Sequence, residues 1–120
     1  MKTAELIGPA LDWAVAKCEG YSSEQALDII YCDSAALAYS TDWAQGGPII
    51  EQEGIDLYCN TIAQPNHADQ AWRTGSWRAR ICSMGRKGEM AYGPTPLIAA
   101  MRCYVASKLG DEIEIPEELK

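Results

Sequence analysis

The sequence contains no Phe, a single His and no two cysteines at Cys-x-x-Cys spacing. Without Phe, the bulk of a core must come from four Trp, six Tyr and the Leu, Ile and Met residues. One His and five cysteines scattered at positions 18, 32, 59, 82 and 103 do not make zinc by the common ligand spacings, so no metal and no cofactor are expected. The odd number and irregular spacing of the cysteines fit reduced thiols, several of them small core residues, and no disulfide is expected. No apolar run approaches membrane length, and Met1-Lys2-Thr3-Ala4-Glu5 lacks a signal-peptide core. A cytoplasmic protein with no membrane partner is expected. Positive charge is short as well: 10 Lys and Arg against 17 Asp and Glu give a net charge of −7. That argues against a nucleic-acid partner, whose phosphates demand positive charge. Gly46-Gly47 and Gly85-x-x-Gly88 match neither a P-loop nor a dinucleotide fingerprint. His67, beside Asp69, belongs to a polar loop where a histidine is usually solvated. No Ser, Cys or Thr stands in a nucleophile's setting, and Glu51 and Glu53, two apart on a helix, do not share a face. No enzyme is expected.

What is present is a domain of ordinary size. The chain has 120 residues, 48% of them hydrophobic, enough to bury a core without staples. Residues 1–110 read as a single domain and 111–120 as an acidic C-terminal extension. Apolar spacings of three and four predict a helix near 9–19, with Trp13 as its anchor and Gly20 as its stop. Ser22-Ser23-Glu24-Gln25 could start a short helix, but Leu27 to Cys32 has the β-branched and aromatic content of a strand, expected near 28–32. Residues 35–39 read as a short strand or extended chain. Helices are expected near 43–53 and 95–109, and strands near 55–59 and 76–83. In the second strand Arg78 and Arg80 alternate with Trp77, Ala79 and Ile81. Gly85 to Gly88 reads as a turn leading to Glu89–Tyr92. The fold class is α+β, a small, mainly antiparallel sheet packed with about three helices.

The central stretch is Ser40-Thr41-Asp42-Trp43-Ala44-Gln45-Gly46-Gly47-Pro48. Thr41 and Asp42 are helix-capping types, Gly46 and Gly47 allow close backbone approach, and Trp43 is large for an exposed position. Pro48 either kinks the helix or opens a second one. Gly93-Pro94-Thr95-Pro96 repeats the logic, with Thr95 as cap and Pro96 first in its helix. Ordinary capping is the commoner role of such residues, and core burial the commoner role of Trp43 and Trp77. Two helix starts can nonetheless offer unpaired N–H groups and partial positive charge to one ligand. With Trp77 for stacking and Arg78 and Arg80 as anion forks, the candidate site is Thr41, Asp42, Trp43, Gly46, Gly47, Trp77, Arg78, Arg80 and Thr95. It suits a small anionic, ring-bearing ligand.

The run Tyr39 to Glu51, the Trp77-Arg78-Ala79 strand and Gly93-Pro94-Thr95-Pro96-Leu97-Ile98-Ala99-Ala100-Met101-Arg102 together resemble the NinX-like accessory proteins of lambdoid phages. Leu6-Ile7-Gly8-Pro9-Ala10-Leu11-Asp12-Trp13-Ala14-Val15-Ala16 is similar to that family's start. The order of parts also resembles the phage ABA sandwich domain proteins, whose name implies helices on both faces of a sheet. Segments 21–38 and 59–75 lie outside the likeness. The resemblance implies phage origin, expression inside a bacterium and dispensability on a permissive host, and it carries no known activity. Two functions are compatible with it. One is a non-enzymatic sponge that sequesters a nucleotide-derived host immune signal. The other is an interaction module that docks on a host or phage protein through its acidic surface and the 111–118 tail. A closed twofold homodimer is expected in either case.

Overall fold

The computed structural model describes residues 1–59, 77–81 and 89–120. Among these, four helices and three strands follow one another as α1 (Pro9–Cys18), α2 (Ser23–Cys32), α3 (Trp43–Glu53), β1 (Ile55–Cys59), β2 (Trp77–Ile81), β3 (Glu89–Gly93) and α4 (Pro96–Leu109). The strands form one antiparallel sheet in the order β1-β2-β3, with Leu57 opposite Ala79 and Ala79 opposite Ala91. The fold is α+β, as expected. Expected residues 76 and 82–83 of the second strand, the 85–88 turn, His67 and Cys82 lie outside the described residues.

Helix α4 lies across all three strands, and α1 and α3 pack on it. Residues Leu97 to Met101 and Cys103 to Val105 are all buried, so α4 is enclosed on nearly every side and needs no single apolar stripe. Gly93 makes the strand-to-helix corner possible: a Cβ there would lie 2.7 Å from the Ala99 nitrogen. Arg102 ties the corner down, donating from Nε to the Leu6 carbonyl (2.8 Å) and from Nη1 to the Tyr92 carbonyl (2.9 Å).

One expected strand is a helix. Residues 28–32 belong to α2, because Ser22 and Gln25 form a reciprocal capping box that satisfies both orphan N–H groups at its start. Ala26 and Ile30, one turn apart, face inward, and the Trp13 indole donates to the Ser23 carbonyl (3.1 Å). These contacts outweigh the strand preference of Ile29 and Ile30. Of residues 35–39, expected as a short strand or extended chain, Ala35 and Ala36 lie in a 3-10 turn, Ser34–Ala36, and none of the five is in a strand. Helix α3 runs unbroken through Pro48. The 111–120 segment is stitched to the chain's start: Thr3 N–H donates to the Asp111 carbonyl (2.7 Å), Ile113 N–H to that of Met1 (3.1 Å), and Ile115 enters the core.

Candidate functional site

The starts of α3 and α4 open onto one cleft. Its position depends on a buried acid. Asp12, on α1 and 6% exposed, accepts from the Ser40 N–H at 2.8 Å. Burial pushes its carboxyl above the ordinary value, while the Ser40 backbone and hydroxyl pull it back. The next residues coil into a turn, with Thr41 and Asp42 N–H both donating to the Ala38 carbonyl (3.1 and 2.8 Å). Gln45 clamps this turn from inside α3. Its Oε1 accepts from Ala38 N–H (2.9 Å), and its Nε2 donates to the Ala35 carbonyl (2.9 Å) and to Asp42 (3.2 Å).

Asp42 caps α3 by accepting from Ala44 N–H (3.0 Å), and Thr95 caps α4 by accepting from Ile98 N–H (3.1 Å). Thr41 is a turn residue and not a cap. Between the two starts is a cleft of about 220 Å³, lined by Ser40, Thr41 and Trp43 on one side and Thr95 to Ile98 on the other. Trp43 lines the cleft and is 53% exposed, not buried in the core as such a residue more commonly is. Ser40 is 2% exposed, with its hydroxyl beside the Asp12 carboxyl. Because Pro96 has no N–H and Ile98 is capped, Leu97 N–H is the first-turn donor of α4 without a partner in its own helix.

The structure thus brings Thr41, Trp43 and Thr95 onto one cleft, with Asp42 between the first two as the α3 cap, and places the other candidates elsewhere. Gly46 serves packing: a Cβ there would lie 2.5 Å from the Tyr39 carbonyl and 2.7 Å from Leu97 Cδ2. At Gly47 nothing lies within 4 Å of the place a Cβ would take, and the residue does not line the cleft. Trp77 sits on the helix-facing side of β2, where it packs partly on the core. Arg78 and Arg80 alternate with it and occupy the opposite face, beside Tyr58. Asp12, Ser40 and Gln45 were not among the sequence candidates. A lone acid in the apolar run Ala10–Ala16 was the available signal for the first.

Among the described residues, no group of His, Cys, Asp and Glu could hold a metal ion, and no helix is long and apolar enough to cross a membrane. Over residues 2–108 the chain matches the family model described as Bacteriophage P22, NinX. No curated protein matches it.

Proposed function

The chain belongs to the bacteriophage P22 NinX family, and from that premise we propose that it is a phage accessory protein that binds a small ring-bearing ligand in the host cytoplasm without transforming it. The ligand class in view is a nucleotide-derived host immune signal, held out of circulation. One observation carries the reading. Two helix starts distant in sequence share a cleft that carries an exposed indole.

Each part has a use. The Trp43 face can stack a base, and the Thr41 and Thr95 hydroxyls can meet sugar hydroxyls or a base edge. The positive end of α4 favours a phosphate at the mouth, so the anionic part of the ligand rests on that helix and not on Arg78 and Arg80. About 220 Å³ accepts a base with part of its sugar and leaves the remainder of a larger nucleotide in solvent, since drug-sized sites begin near roughly 300 Å³. Among the described residues, the lining holds no His, Cys, Lys or carboxylate, which favours holding over chemistry.

Calorimetric titration with cyclic dinucleotides, ADP-ribose and adenosine tests the proposal. Wild-type protein should bind at least one of them saturably. Trp43→Ala should lose that binding with its melting temperature unchanged, because the indole is half exposed. Thr95→Ala should lower stability by about 1 kcal/mol as a lost cap and weaken binding as well. Absence of heat with all three ligands, or undiminished binding by Trp43→Ala, sinks the reading.

A further inference from the structure

The sheet face turned away from α4 carries two cross-strand rows, Tyr58–Arg78–Tyr92 and Asp56–Arg80–Met90. Arg78 Cζ lies 4.8 Å from the Tyr58 ring centre, and Arg80 Cζ lies 6.0 Å from the same ring. One phenol ring therefore backs both guanidinium groups and limits their freedom before anything binds. Arg80 has an ion pair with Asp56, but it is long, 3.7 Å, and both side chains are well exposed. Such a pair holds weakly. The Arg80 Nε is enclosed and makes no hydrogen bond. Around the arginines, Tyr58, Met90 and Tyr92 are each more than a third exposed.

We propose that this face is a docking site for an acidic segment of another protein. Arg80 takes a carboxylate of that segment with its fork, in exchange for its weak hold on Asp56. Tyr58, Met90 and Tyr92 cover the apolar side chains between the partner's carboxylates. Tyr, Arg and Met are the residue types that protein interfaces favour, and anchors of this kind carry most of the binding energy. The charge argument points the same way: a chain of net charge −7 sets two of its ten cations side by side on one face. A nucleic acid would need a longer track of cations along its phosphates, whereas here an acid, Asp56, lies in the second row. This surface is separate from the cleft, and its test does not depend on the ligand proposed above.

The probes are a fluorescent synthetic peptide alternating Glu and Leu, its Gln–Leu counterpart and oligothymidylate, each followed by fluorescence anisotropy. The Glu peptide should bind, the Gln peptide should bind at least about tenfold more weakly, and oligothymidylate should not compete. Arg80→Ala should weaken the Glu peptide about tenfold or more, and added salt should weaken it further. Asp56→Asn should tighten it severalfold by releasing Arg80, a result that a merely structural arginine would not produce. That variant also decides the matter if Arg80→Ala does not fold. The proposal is overturned if the Glu peptide fails to bind, if Asp56→Asn leaves its affinity unchanged, or if oligothymidylate binds more tightly.

Discussion

Replacing Gly46 and Gly47 by alanine, one at a time, should have different effects on stability. Both residues lie inside α3, and neither has a positive φ, so alanine suits either backbone. In a helix interior alanine is favoured over glycine by about 0.8–1 kcal/mol. At Gly47 nothing lies within 4 Å of the added Cβ, and the variant should keep most of that gain. At Gly46 the Cβ would meet the Tyr39 carbonyl oxygen at 2.5 Å and Leu97 Cδ2 at 2.7 Å. The Leu97 methyl is the end of a side chain and can swing. The Tyr39 carbonyl is backbone, flanked by Ala38 and Ser40, whose N–H groups are held by Gln45 and Asp12. Overpacking of this kind costs typically about 1–3 kcal/mol, which offsets or exceeds the helix gain and leaves Gly46→Ala about 0–2 kcal/mol less stable than wild type, and below Gly47→Ala by the full overpacking cost. At this chain length each kcal/mol is worth roughly 4 °C in Tm. Urea denaturation followed by tryptophan emission reads both variants, with equal slopes showing that only stability has changed. Because Leu97 lines the cleft, Gly46→Ala should also weaken ligand binding. Gly47→Val, which the sequence casts as a block to close approach, should leave binding intact. If Gly46→Ala is as stable as Gly47→Ala, the close approach of α3 to the 39–40 turn is wrong.

Asp12→Ala should cost about 1–3 kcal/mol by orphaning the buried Ser40 N–H, whereas Asp12→Asn keeps an acceptor and should cost little. The Asp12 carboxyl is raised above its ordinary 3.8 by burial. Its contribution to stability is therefore fully present below the unfolded value and lost as pH rises through the folded one. The balance between Asp12→Asn and wild type should shift toward the variant as pH climbs out of the acid range; denaturation curves showing no such drift count against it. Among the described thiols, burial pushes Cys18 up to about 11 and Cys103 is fully enclosed, while Cys32 and Cys59 are exposed. Brief iodoacetamide treatment at neutral pH should label Cys32 and Cys59 and spare Cys18 and Cys103. Equal labelling of Cys18 and Cys32 in peptide mass spectra would refute that assignment.

Local signals are enough for some elements. Asp42 before α3, Thr95-Pro96 before α4 and Gly54 and Gly110 at their ends carry stop and start information within a few residues, and alternation in Trp77–Ile81 marks β2. The segment 23–32 is not legible in this way, because its composition and its cap disagree. Ile29 and Ile30 favour a strand, the Ser22–Gln25 box favours a helix, and the contact with Trp13 on α1 settles it. Composition also does not place Trp43, since a large aromatic is usually buried and nothing local says that α3 begins at a surface.

Fold class, family and the positions of the two capped helix starts follow from the order of residues alone, because capping and periodicity are properties of neighbours along the chain. That Thr41, Trp43 and Thr95 face one cleft, while Arg78 and Arg80 lie on the far side of the sheet, is a property of the packed molecule. Residues that share a site here are more than fifty positions apart in the chain. Their convergence depends on α4 crossing the sheet, on Gly46 and Gly93 permitting backbone to meet backbone, and on Asp12 fixing the turn at Ser40. Those are long-range packing contacts, and no local pattern encodes them.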